Sequence, residues 1–164
     1  IRILESQEAP ASFNPQKNIL SKVYEYRVLN RMQNSALDLR TYFMPRRVDW
    51  NKVREALPYF EGKKDYKAFQ GAKSTVKTSV RTVHKFELLD EGDGFYRFRV
   101  VGSGFLKQMV RTMVGRALEV GEGRRKASDI PAIFASRDRR QAGPTVPASG
   151  LFLVSVTYAP ETIQ

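Results

Sequence analysis

Phe95-Tyr96-Arg97-Phe98-Arg99-Val100-Val101, running into Gly102-Ser103-Gly104-Phe105-Leu106-Lys107-Gln108-Met109-Val110-Arg111-Thr112-Met113-Val114-Gly115-Arg116, decides the fold. In the first part Tyr96, Phe98 and Val100 alternate with Arg97 and Arg99, the two-residue period of a strand with one apolar face. Beyond the Gly-Ser-Gly turn the period changes. Leu106, Met109, Val110, Met113, Val114 and Ala117 form one broad stripe, which predicts a helix from Phe105 to about Val120, stopped by Gly121 and Gly123. Lys107 and Arg111 flank the stripe at i, i+4. An arginine on the edge of an apolar face usually meets an anion, and which anion Arg111 meets decides the chemistry.

Working outward, Val80–Leu89 and Phe95–Val101 predict a hairpin across Asp90–Gly94. Lys22–Leu29 alternates as a strand, with Tyr24, Tyr26 and Val28 on one face. Asp49 is a candidate cap for a helix to about Phe60, with Trp50, Val53, Leu57 and Phe60 on one side. Residues 61–79 carry five lysines among small residues and read as a long basic loop, with a helical turn near Asp65–Phe69. A second helix is expected over Ser128–Asp138 and a closing strand over Leu151–Tyr158. Residues 1–21, with Pro10 and Pro15, read as an irregular lead-in after a short strand at Ile1–Leu4. The expectation is a single α+β domain over 1–164, a mainly antiparallel sheet with helices packed on one face.

Composition narrows the function. A formal charge of +11 and a pI near 10.1 favour a polyanionic partner through counterion release. Without cysteine there is no disulfide, thiolate metal site or cysteine nucleophile, and a single histidine, His84, argues against a triad or a multi-histidine metal site. His84 lies in a strand pattern and reads as a packing or surface residue. No apolar run approaches membrane-spanning length and no secretory signal is visible, so no membrane partner and a cytoplasmic location are expected. The start at Ile1-Arg2-Ile3-Leu4, without methionine, points to a piece of a longer protein.

Gly102-Ser103-Gly104 at a strand-to-helix turn invites a phosphate-binding reading, but the third glycine of a dinucleotide fingerprint and any Gly-Lys-Ser/Thr pair are missing. A tight turn with Ser103 as helix cap is the simpler reading. The basic clusters Arg46-Arg47, Lys63-Lys64, Arg124-Arg125-Lys126 and Arg137 with Arg139-Arg140 are each an ordinary charge run alone. Together with the loop lysines Lys73 and Lys77 they resemble a nucleic-acid surface. No RNP-type motif, zinc finger or recognition helix accompanies them, which favours structured RNA over sequence-read duplex. Tyr24 and Tyr26 are either core aromatics or, at a cleft edge, stacking partners for an extruded base.

An ordered set of motifs resembles one family. Lys22-x-Tyr24-x-Tyr26, the Asp49–Gly62 helix ending Phe60-Glu61-Gly62, Asp65-Tyr66-x-x-Phe69, Val80-Arg81-Thr82, Gly104-Phe105-x-x-x-Met109-Val110-Arg111, Arg137-Asp138-Arg139, Gly143-Pro144-Thr145 and Gly150-Leu151-Phe152-Leu153 are similar to the second half of a TruA-type tRNA pseudouridine synthase. The resemblance covers about residues 12 to 159. It implies a pseudouridine-synthase-like fold and an isomerase that converts uridine to pseudouridine in the tRNA anticodon stem-loop, at about positions 38 to 40, from a nucleotide taken out of its stack. No cofactor or metal is implied, and the family works as a homodimer.

Residue by residue, the resemblance makes Arg111 the partner of a nucleophilic aspartate, Tyr24 the tyrosine against the target uracil, and Leu151 the leucine packed on the base. Gly150 lets the strand begin close to that base. Lys63, Lys64, Lys73, Lys77, Arg46 and Arg47 are the candidate RNA-binding cations, and Asp138 is expected to form a structural ion pair. Two departures stand out. The family's Arg-Thr-Asp-x-Gly-Val segment is not in this sequence, so the chain alone is expected to be inactive. Its Phe-His-Ala-Arg reads Phe13-Asn14-Pro15-Gln16 here. The rival reading is a non-catalytic RNA-binding module or degenerate relative. Arg111, Tyr24 and Leu151 argue against it, since a pure binder has no use for an aspartate's partner.

Overall fold

A computed structural model describes residues 2–6, 8–11, 13–17, 19–33 and 40–159. Its centre is a long strand, β1 (Ile19–Leu29), bonded antiparallel to β5 (Phe95–Gly102) on one side. On its other side β1 pairs antiparallel with β6 (Leu151–Tyr158) and, beyond Tyr26, in parallel with the two-residue β2 (Tyr42–Phe43). The sheet continues from β5 to β4 (Val80–Gly92) and β3 (Gly62–Asp65), both antiparallel.

Between strands lie α1 (Trp50–Ala56), α2 (Met109–Gly121) and α3 (Ile130–Ser136). The apolar halves of the alternating strands, Tyr26 and Val28 of β1, Phe98 and Val100 of β5, Phe86 and Leu88 of β4, meet Val53, Met109, Met113, Val114, Ile130 and Ile133 from the helices in one core. Burying each large side chain of that set contributes about 1.5–3 kcal/mol. This is the expected α+β arrangement, with the helices on one face.

The opposite face of the sheet shows why the arginines of β5 alternate with aromatics. Arg97 reaches Glu25 on β1 at 2.8 Å and Glu91 at 2.7 Å, Arg27 lies 3.7 Å from Glu25, and Lys85 pairs with Glu87 at 2.5 Å. Arg27 also sits over the Phe152 ring. Arg97 thus ties β5 to both β1 and β4, and the Arg27 and Lys85 pairs within their own strands neutralise further positive charge on this face.

Several boundaries move from the sequence expectation. Asp49 does cap α1, accepting from the Asn51 and Lys52 amides, and a 3-10 turn carries the helix on to Phe60. The hairpin turn is tighter than Asp90–Gly94: β4 runs to Gly92, and Asp93 and Gly94, both at positive φ, make a two-residue turn. Residues 61–79 are not one loop, because Gly62–Asp65 extends the sheet and Lys67–Phe69 forms the 3-10 turn expected near there. The second helix is split, a 3-10 turn at Ala127–Asp129 preceding α3. Residues 2–4 form no strand, Ile1 lies outside the described residues, and β1 begins at Ile19. His84 is exposed at a bulge in β4.

Candidate active site

Tyr24 and Tyr26 project from the same face of β1 to different fates. Tyr26 is fully buried and its hydroxyl donates to the Pro147 carbonyl at 2.7 Å. Burial, above all, pushes its pKa up, with Tyr42 adding to the rise and the Arg111 charge opposing it. Tyr24, two residues nearer the sheet end, is half-buried, its ring edge-on to Phe105 at 5.3 Å between centroids. It lines a cavity of about 260 Å³ with Phe105, Leu106, Met109, Val110 and Leu151 as apolar walls and Lys107 and Gln108 at its polar side. Across the ladder, β6 bulges at Val154, so Tyr24 pairs with Leu153, which is half exposed beside it. Bulges of this kind re-aim side chains next to sites.

The loop before β6 brings Leu151 to this cavity. Gly150 lies on the Tyr26 ring: an added Cβ would stand 2.7 Å from the Arg27 carbonyl oxygen and 3.0 Å from Tyr26 Cζ. Only glycine lets the chain pass that close. Leu151 then opens β6 opposite Tyr26 and reaches the slot lined by Tyr24.

Arg111 is the third component. Its half-buried side chain leaves α2 one residue beyond the cavity wall, and Nε donates to the Val146 carbonyl at 2.6 Å. The adjoining Pro147 carbonyl is the acceptor of Tyr26, so Arg111 and Tyr26 grip neighbouring peptides of one loop. That fixes the arginine by its Nε while its two Nη groups bond no other described residue, and among the described residues no carboxylate pairs with it. The fork is the part of a guanidinium that binds a carboxylate in bidentate fashion.

The Gly-Ser-Gly turn does not start the helix as expected. Ser103 bonds Thr82 of β4 just past the end of β5, its amide donating to the Thr82 carbonyl and its Oγ accepting from the Thr82 amide. Residues 104–108 loop outward, and α2 begins at Met109 after Gln108, at φ 61°. This detour is what turns Phe105 towards Tyr24. Neither Phe105 nor Leu153 stands out in sequence as a site residue. The only signal is that Phe105 follows the glycine turn and Leu153 shares a strand parity with Leu151.

These geometries accompany a match in sequence. The pattern of the family described as tRNA pseudouridine synthase matches residues 56–159, more than half of the chain. The chain belongs to the tRNA pseudouridine synthase family. It is 42% identical over 159 residues to tRNA pseudouridine synthase A of Acetivibrio thermocellus, covering 96% of this chain and 65% of that protein. The same-named proteins of Anoxybacillus flavithermus and Geobacillus kaustophilus are 40% and 38% identical, over 95% and 96% of this chain and 63% and 61% of theirs. The chain therefore spans less than two thirds of the length of these relatives.

The candidate RNA-binding cations of this chain are not brought together. Lys73 and Lys77 are exposed in the segment after the 3-10 turn, near the start of α2, where Lys107 donates to the Ala72 carbonyl. Arg46 and Arg47 are exposed at the other end: Arg46 lies 3.5 Å from Glu122, and Arg47 lines a groove with Gly121 and Glu122. The 13 residues of α2 separate the groups by about 20 Å. Lys63 is exposed on the edge strand β3, whereas Lys64 turns back to donate to the Tyr59 carbonyl at 2.6 Å and lies over the Phe134 ring. Asp138 pairs with Arg140 at 2.8 Å and caps the 3-10 turn at Arg139–Gln141, and its hydrogen bond from the Arg140 side chain holds its carboxyl below the usual range. The departed segment has a local use: Phe13 packs edge-on against Tyr158, whose hydroxyl donates to the Pro15 carbonyl. Among the described residues no group of acidic or histidine side chains is arranged to hold a metal ion, and no helix is long and apolar enough to cross a membrane.

Proposed function

We propose that this chain forms the base-holding half of an enzyme that isomerises uridine to pseudouridine in tRNA, with the anticodon stem-loop, at about positions 38 to 40, as its target. Tyr24, Phe105 and Leu151 accept the uracil of an extruded nucleotide. Arg111 presents its fork to a nucleophilic aspartate supplied by the part of the relatives' length that this chain does not span. The carboxylate attacks C1′ as the N1–C1′ bond breaks, the uracil turns in its slot, and C5 bonds to C1′ as the carboxylate leaves. The C5 proton leaves, and N1 ends protonated, so no cofactor is required. Tyr24 is the group placed to assist that proton's removal. The intact enzyme works as a homodimer in the cytoplasm.

One observation carries this reading: Arg111 is anchored by Nε alone, next to an apolar slot, in a chain of this family. A guanidinium in that position keeps a carboxylate ionised and oriented. In the intact enzyme, Arg111→Ala is expected to lower tritium release from carbon-5-labelled uridine in tRNA about a hundredfold, as misplacing a reacting group does. Affinity for tRNA should change little, and Arg111→Lys should recover part of the rate. Equal losses in turnover and binding would make Arg111 a phosphate contact instead. The 164-residue chain by itself is expected to release no tritium.

A further inference from the structure

Four cations, Lys67, Lys73, Arg137 and Arg139, surround a cavity of about 290 Å³ that is separate from the slot. It lies between Lys67, Gln70 and the segment Gly71–Ser74 on one side and Arg137 and Arg139 on the other. No carboxylate lines it. The larger cavity of about 540 Å³ near Arg116 offers the contrast, since there Arg116, Arg125 and Arg140 are offset by Glu119 and Asp129. A cation-only lining is poised for an anion.

The partners of these cations leave the charge available. Both Nη atoms of Arg139 are held by neutral acceptors, the Gly143 carbonyl at 2.7 Å and Thr145 Oγ1 at 2.6 Å, so its position is fixed and its charge unneutralised. Arg137 meets Asp65 at 2.9 Å, in a pair whose arginine is 63% exposed and open to exchange for another anion. Lys73 is exposed. The backbone is also held in an uncommon form here. Among the described residues four non-glycine residues have positive φ; Asp93 belongs to the hairpin turn, but Lys73 (57°) and Arg137 (54°) face this cavity and Gln108 (61°) lies between it and the Tyr24 slot. Such conformations gather at ligand sites.

The cavity adjoins the slot through direct bonds. The Gly71 amide donates to the Lys107 carbonyl at 2.8 Å, Lys107 Nζ reaches the Ala72 carbonyl, and Gln108 packs so closely on Gly71 that a Cβ there would meet its Oε1 at 2.6 Å. Lys107 and Gln108 line the slot, and Gly71 and Ala72 line the cationic cavity. The two cavities are thus joined by adjoining residues of one continuous surface.

We infer that this cavity is a phosphodiester site, which grips the tRNA backbone beside the extruded nucleotide through Lys67, Lys73, Arg137 and Arg139. The inference rests on the proposed tRNA-modifying function. Its role is positioning: it fixes the strand so that the base enters the slot.

The test measures tRNA binding by the 164-residue chain over a range of KCl concentrations, with thermal melts as a control for folding. Lys73→Gln and Arg137→Gln should each weaken binding about five- to tenfold near 0.1 M salt, and each should reduce the slope of log K against log salt by somewhat under one. Asp65→Asn keeps the acceptor for the Lys67 amide and Ser79 Oγ but frees Arg137, so it should bind tRNA more tightly, a sign that a merely structural role for the pair does not produce. Folded variants with unchanged affinity and slope overturn the site, while the unaltered chain still binding tRNA leaves the function standing. A wild-type chain that fails to bind tRNA even at low salt overturns both. Chemical-shift changes at Lys73 and Arg137 with inorganic phosphate, without any effect of the substitutions on tRNA affinity, would make this a free-phosphate site and overturn the RNA assignment.

Discussion

At the residue scale the site depends on close approach as much as on charge. Gly150 is the sharpest case, because the obstacle to a Cβ is the Arg27 carbonyl oxygen at 2.7 Å, a backbone atom of the central strand that cannot swing aside. Gly150→Ala is therefore expected to cost about 1–3 kcal/mol in urea denaturation, the range for overpacking a filled site. It should also displace Leu151 from the slot, raising KM for tRNA in the intact enzyme. Arg111 is fixed in a complementary way: its Nε is committed to Val146, which leaves the fork to choose its anion.

At the scale of elements, α1 and α2 are set by different devices. Asp49 makes a true side-chain cap on α1, bonding two of the amides that a helix start leaves unpaired. Asp49→Ala should cost about 1 kcal/mol of stability, measured by thermal or chemical denaturation. Little of that loss should depend on salt, because the accompanying Lys52 pair is exposed and worth little. A larger, salt-sensitive loss would show that the ion pair matters more than the cap. α2 has no side-chain cap; it starts from Gln108 in a left-handed conformation and is held by burial of nearly every residue from Met109 to Gly121. That burial, unlike a cap, locks Arg111 against the loop 146–147 and explains how an uncapped helix holds this side chain still.

At the scale of the whole molecule, two buried tyrosines tie the sheet to its surroundings. Tyr26 bonds Pro147, and Tyr66 bonds the Phe60 carbonyl at 2.6 Å. Both phenols are pushed above their ordinary pKa, chiefly by burial. In the unfolded chain they ionise near pH 10, while the fold keeps them neutral, so above that pH the unfolded state binds fewer protons. Stability is fully present below about pH 10 and should then fall by up to about 1.4 kcal/mol per pH unit for each tyrosine. Urea denaturation at a series of alkaline pH values checks this. Tyr66→Phe, which gives up the bond to Phe60, should remove about half of the slope, and an unchanged slope would place the alkaline sensitivity elsewhere.

The layer arrangement, the alternating faces of β1 and β5 and the Asp49 cap were legible in the sequence because they follow from local periodicity and side-chain chemistry, whereas Tyr24, Arg111, Gly150 and Leu151 were singled out by the resemblance of their motifs to one family. The sequence did not show that Ser103 bonds Thr82 of β4 just past the end of β5, that Phe105 faces Tyr24, or which of two tyrosines on one face is buried. Nor did it show that the basic residues divide between the two ends of α2, with Lys64 and Arg97 engaged by their own protein. Those outcomes depend on contacts between segments distant in sequence: a bulge in β6, a carbonyl at Pro147, a loop tied to Lys107. Only the tertiary structure could decide them, because a charge or a ring has the same local pattern whether its partner is solvent, a carboxylate or a backbone oxygen many residues away.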